Sequence, residues 1–104
     1  MMKKLLLYFL FIIFSLATFQ AYAQDFSIQQ ADKYFERTYY SKAIPLYEEA
    51  ITRKSEANSI RNLANAYFYT FDFKNAEKWF RFLLKNNKEL MDDAHIFKYY
   101  QSSF

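Results

Sequence analysis

From about residue 25 onward, apolar and small residues recur at helical spacing in one pattern written twice, 33 residues apart. The first copy runs Ala31, Tyr34, then Tyr40, Ala43, Ile44, Tyr47, Ala50 and Ile51. The second runs Leu63, Ala64, Tyr67, then Phe73, Ala76, Phe80, Leu83 and Leu84. Small residues stand where two helices must approach closely, and aromatic residues stand where a side chain must fill the space beside the crossing. A period of this length with this alternation predicts an all-α fold of antiparallel helix-turn-helix repeats.

The flanking residues set the expected elements. Asp25 or Ser27 can cap a first helix ending near Arg37, with Ala31, Tyr34 and Phe35 on its inner face. Residues 38–41 form a turn, and a second helix runs from about 42 to 53, with Pro45 in its first turn where a missing N–H is tolerated. After a polar connector, a third helix from about 57 to 70 buries Ile60, Leu63, Ala64 and Tyr67. Asp72 can cap a fourth helix, about 73 to 85, burying Ala76, Phe80, Leu83 and Leu84. Asn86, Asn87 and Lys88 then break the pattern. A fifth helix from about 91 carries Ile96, Tyr99 and Tyr100. The sequence stops at Phe104 inside this apolar-periodic segment, whereas a terminal repeat ordinarily carries a polar outer face. The expectation is therefore two full repeats plus the first helix of a third, forming the N-terminal piece of a longer protein.

Ahead of the repeats stands a different pattern. Lys3 and Lys4 precede an apolar run from Leu5 to Ala17 interrupted only by Ser15, and Ala21-Tyr22-Ala23 supplies small residues at a peptidase's two reading positions. That three-part arrangement predicts a cleavable secretory signal over residues 1–23 and a mature repeat domain over 24–104. The run is shorter than the roughly 20 apolar residues of a membrane span. No cysteine follows it, so a lipid-anchored lipoprotein is excluded.

Composition narrows the function classes. Taking Lys3 and Lys4 from the 14 basic residues leaves 12 against 11 acidic, a net of +1 for the mature part. No basic stripe remains for nucleic acid. The absence of cysteine rules out disulfides and thiolate metal sites, so an exported chain of this kind is held by packing alone. With no glycine there is no phosphate-binding loop, and with one proline few tight turns. No serine stands with a histidine and an acid in a catalytic arrangement. An enzyme, a cofactor, a metal and a small-molecule substrate are all unexpected.

The repeated residues resemble the tetratricopeptide repeat. Ile60, Leu63, Ala64, Tyr67, Ala76 and Phe80 follow its two-helix pattern, with Ile60 in place of the usual Trp and Ala64 in place of Gly. The first copy keeps Ala31, Tyr34, Ala43 and Ala50, has Tyr47 for Phe, and departs at Ser27 and Gln30; the closing Pro is replaced by Ser55 and Lys88. The segments ADKYFERTYYSKAIPLYEEAI, LANAYFYTFDFKNAEKWF and HIFKYYQSSF, behind a signal peptide, are also similar to the start of OmpA-family envelope proteins of Bacteroidetes-type bacteria. In those proteins a short tetratricopeptide segment precedes a propeller-like region and an OmpA-like peptidoglycan-binding domain, and some members serve type IX secretion and gliding. The resemblance implies an exported protein in the periplasm or on the periplasmic face of the outer membrane. Its partner would be an envelope or secretion protein, and peptidoglycan would be reached only through a domain absent here.

In such arrays the first helix of each repeat lines the concave face. Here that places Asp32, Phe35, Arg61, Asn62, Asn65, Phe68, Tyr69 and Lys98 as partner-facing residues. Arg61, Asn62 and Asn65 supply directional donors for a peptide carboxylate or backbone. The set is similar to the carboxylate clamp of chaperone-binding repeat proteins, but Ile28, Gln29 and Asp32 in the first copy leave half of it missing. The alternative is an ordinary solvated polar face. Phe68, Tyr69, Phe71 and Phe82 exceed what the repeat core needs; they mark either an interaction surface or packing against a following element. His95 with Asp92 and Asp93 lacks the ligands for a metal and reads as the acidic start of a helix. Glu48 and Glu49 are sequential and cannot face each other as a catalytic pair, and Glu77 with Arg81 reads as a surface ion pair. The leading functional expectation is an envelope protein-interaction scaffold. The rival is the periplasmic sensor segment of a membrane histidine kinase or transcription regulator.

Overall fold

The computed structural model describes residues 2–103 of the chain, with the side chains of 2 and 14–25 outside the described set. Five α-helices follow one another: α1 (Met2–Glu36), α2 (Tyr40–Arg53), α3 (Ala57–Tyr69), α4 (Phe73–Asn86) and α5 (Asp93–Ser102), with a 3-10 turn at Lys88–Leu90. Among the described residues there is no strand, so the class is all-α. Each helix packs on the one before it, and the largest shared faces are α1 with α2 and α3 with α4.

The core forms where the doubled pattern places it. Ala31, Ala43, Ala64 and Ala76 are fully buried, which lets the backbones of each helix pair come close. Tyr47, Phe80, Ile60, Leu63 and Leu83 are the largest side chains removed from water, and they fill the space beside those contacts. Burying a side chain of this size stabilises by about 1.5–3 kcal/mol, so these five dominate a small core. Helix α4 is closed at its start as expected: Asp72 accepts hydrogen bonds from the Asn75 backbone N–H and, at 2.8 Å, from its side-chain amide.

Three local expectations are corrected. The first helix does not begin at Asp25 or Ser27, because α1 is already helical from Met2. With no glycine or proline in that stretch, nothing in the sequence ends the helix. Residues 5–13 are exposed, and among the described residues no helix is long and apolar enough to cross a membrane. Pro45 sits in the second turn rather than the first, because α2 starts at Tyr40. It is tolerated on an exposed face, where the Ser41 carbonyl it cannot serve is open to water. On α5, Ile96 and Tyr99 pack on the core, but Tyr100 and Phe97 point to solvent.

The α1–α2 and α3–α4 turns share one geometry. The N–H of Tyr39 bonds to the Tyr34 carbonyl at 2.9 Å and that of Thr38 to Phe35 at 3.0 Å. Thirty-three residues later, Asp72 bonds to Tyr67 at 2.9 Å and Phe71 to Phe68 at 3.1 Å. This is the Schellman closure of a helix, which requires a left-handed residue at its hinge. That residue is Thr38 (φ 63°) in one turn and Phe71 (φ 65°) in the other. Glycine ordinarily occupies this place, because a side chain there crowds the backbone by roughly 1–2 kcal/mol. Thr38→Gly and Phe71→Gly are each expected to raise stability by about 0.5–1 kcal/mol in urea denaturation, part of the relief being offset by the freer unfolded chain. A loss of stability in both would contradict the strain.

Candidate functional site

Helices α1, α3 and α5 carry the predicted partner-facing residues, and polar side chains link them in two successive relays. In the first, the Tyr47 hydroxyl donates to Asp32 Oδ1 on α1 at 2.5 Å and accepts from Asn62 Nδ2 on α3 at 3.2 Å. Burial first, and the Asp32 carboxylate second, push the Tyr47 phenol well above its ordinary range, so it stays a donor at any physiological pH.

The second relay joins α3 to α5. Lys98 Nζ donates to Asn65 Oδ1 at 3.0 Å and to the Tyr69 hydroxyl at 2.8 Å. An ammonium can only donate, so the Asn65 carbonyl must face it and the Asn65 amide must face His95 Nε2, 3.0 Å away. His95 Nε2 then accepts, and the ring proton lies on Nδ1, 2.5 Å from Asp92 Oδ1. The same carboxylate caps α5 by accepting the His95 backbone N–H at 2.9 Å. That bond first, then the His95 ring, hold Asp92 below the usual carboxylate range, with Arg61 adding a smaller pull in the same direction.

The two relays occupy corresponding places. Moving 33 residues on, Asp32 becomes Asn65, Tyr47 becomes Phe80 and Asn62 becomes His95. Where Tyr47 bonds both neighbours, Phe80 offers only its ring, and the His95 ring meets it edge-on at 6.1 Å. Asn65 therefore bonds His95 directly. His95 read from sequence only as part of an acidic helix start, yet the 33-residue shift that assigns Ala64 also assigns His95 to a linking position.

The predicted face thus divides by role. Asp32, Asn62 and Asn65 are tied across helices, and Asn65 is only 6% exposed, so it supports the face more than it presents one. Phe35 and Phe68 lie half-buried against the core. Tyr69 and Lys98 stand at the open side, with Lys98 Nζ 4.7 Å from the Tyr69 ring centroid and 5.8 Å from that of Phe68. Arg61 is half-buried on α3. No ion pair among the described residues includes Arg61 or Lys98. Of the residues set aside as surplus, Phe71 and Phe82 are exposed, Phe82 lying edge-on to Trp79.

Sequence reasoning missed two contributors. The Tyr67 hydroxyl donates to Glu48, pinning α3 to α2, and Tyr40 stacks on Tyr69 at 5.0 Å. Glu77 and Arg81 do form the expected exposed pair, and the Glu77 carboxylate raises the Arg81 guanidinium above its ordinary value. Among the described residues no group of His, Cys, Asp or Glu side chains could hold a metal ion.

Fold and face together define an all-α protein whose successive helices pack in chain order, with polar links between alternate helices. Compared with known families, characterised proteins and solved structures, the chain matches none.

Proposed function

We propose that the chain is an exported protein-interaction scaffold of tetratricopeptide type, two helical hairpins followed by the first helix of a third. The observation that carries the repeat reading is the pair of identical Schellman turns 33 residues apart, both held without glycine. Matched turns and matched buried alanines support two copies of one hairpin, stacked so that α1, α3 and α5 share a face. The positive groups on that face, Arg61 and Lys98, stand outside any ion pair among the described residues, and Lys98 lies beside the Asn65 amide and the Phe68 and Tyr69 rings. They suit a partner segment that brings a carboxylate and an apolar side chain.

The placement in the envelope, as the opening segment of an OmpA-family protein docking another envelope or secretion component, rests on the leader pattern of residues 1–23 and on the resemblance of the repeat segments. The genomic reading frame around the chain tests it. A propeller-like region and an OmpA-like domain downstream support the proposal, whereas a transmembrane helix followed by a kinase or DNA-binding domain replaces it with the sensor reading. For the face itself, Arg61→Glu is expected to abolish co-purification of the envelope partner with unchanged helicity. Undiminished recovery would move binding to another surface.

A further inference from the structure

Phe71 is an anomaly. It occupies a left-handed hinge that favours glycine, it is 79% exposed, and among the described residues its ring meets only that of Phe73, edge-on at 6.1 Å. The side chain crowds the backbone while burying almost nothing. Strain retained without a folding benefit points to a role outside the fold.

The surroundings say what that role is. Aromatic rings run without a gap from Phe71 through Phe73, Phe68 and Tyr69 to Tyr40, with successive centroids 5.0–6.1 Å apart. The two equivalent turns therefore form one edge of the molecule. Beside Tyr40, residues Thr38, Tyr39, Ser41, Lys42 and Thr70 line an open depression of about 280 Å³. Lys42 lies over the Tyr39 ring at 5.6 Å, which keeps its charge at the level of the aromatic surface. Over residues 37–42 and 69–74 the charges are Arg37, Lys42 and Lys74 against Asp72 alone, whose carboxylate is occupied as the α4 cap. Glu36, just before the first turn, is also exposed, and counting it leaves the edge a net charge of +1.

We infer that this turn edge docks on an anionic lipid bilayer surface, with Phe71 inserted among the acyl chains and Tyr39, Lys42 and Lys74 at the headgroup level. Aromatic rings flanked by cations are the combination that suits the membrane interface. A protein partner would be expected to meet a concavity with a buried anchor. Here the most exposed ring stands on a turn tip, and the charge of the edge is complementary to an anionic surface. The edge shares Phe68 and Tyr69 with the face of α1, α3 and α5, so the test reads it through Phe71, Lys42 and Lys74, which that face does not include.

The test uses the full chain and vesicles of zwitterionic phospholipid with or without an anionic phospholipid. Phe71→Gly is expected to lower partition onto anionic vesicles roughly tenfold, the loss of one inserted phenyl group, while thermal stability is kept or raised. Lys42→Gln combined with Lys74→Gln is expected to lower it roughly thirtyfold on anionic vesicles and to leave zwitterionic binding unchanged. Because the chain has no cysteine, a single spin label can be placed at Ser41→Cys on the edge or at Thr52→Cys, 11 residues along α2. Vesicles should shield the label at 41 from a water-soluble relaxation agent and leave the label at 52 accessible. The exposed apolar residues 5–13 could also hold the chain to lipid. In that event Phe71→Gly would bind as the parent does and the label at 41 would stay accessible, which overturns the inference. So would loss of a protein partner, with vesicle binding unaltered, in Phe71→Gly.

Discussion

Phe80→Ala is expected to lower unfolding free energy by about 3–5 kcal/mol, a large share of the roughly 5–15 kcal/mol that holds a small domain. Phe80 is fully buried on α4, in one cluster with Leu63, Ala64 and Leu83, and its ring also receives His95 from α5. Truncation would remove the transfer energy of the ring and leave a cavity whose walls belong to three helices. No neighbouring side chain is free to fill it, because Leu63 and Leu83 are themselves fully enclosed. The effect should reach α5 first, since α5 is held chiefly by α4 and by the Asn65–His95 link. Urea denaturation measures the loss, and hydrogen exchange should show α5 amides unprotected before those of α2. A change below about 1 kcal/mol would mean that Phe80 is not a keystone of the core.

Ala64→Leu is the second large effect; it also destabilises, but by adding volume where Phe80→Ala removes it. Ala64 is fully buried on α3, the face that meets α4, and the cluster around it includes Ala76 and Phe80. Three added carbons have no room, so the helices must separate or the side chain must leave its preferred rotamer. Overpacking of this kind destabilises by roughly 1–3 kcal/mol. Ala94→Leu is the control, because Ala94 is exposed near the start of α5 and should shift stability by less than about 0.5 kcal/mol. Equal shifts for the two in thermal or urea unfolding would contradict the register in which Ala31 and Ala64 are equivalent small residues.

Much of this arrangement is legible in the residue pattern because it depends on burial. Ala43, Tyr47, Ala64, Ala76 and Phe80 had to be inside for the helical spacing to make sense, and all are buried. The Asp72 cap was also visible, since a carboxylate before a helix has one obvious use. Other features depend on geometry that residue type does not announce. The turns at Thr38 and Phe71 adopt a glycine conformation without glycine, so their shared closure appears only in the backbone hydrogen bonds. The extent of α1 escaped because a plausible cap at Asp25 or Ser27 does not stop a helix that has good helix formers on both sides. On the candidate face, residue type identified the polar positions but not which of them are spent within the fold. Asn65 was expected to meet a partner, yet its amide is shared between His95 and Lys98. What remains for the proposed recognition is narrower than the sequence suggested: Arg61, Tyr69 and Lys98, with Lys98 over the Phe68 ring.

Site-directed photo-crosslinking from α3 tests the central claim, that the shared face of α1, α3 and α5 holds a protein segment. A photoreactive residue at Tyr69 and another at Lys78, on the exposed side of α4, would be carried in the full chain expressed in its own cells. The account predicts one discrete protein adduct from position 69, lost when Arg61→Glu is added, and none from position 78. Adducts formed equally from both positions, or from 78 alone, would contradict it.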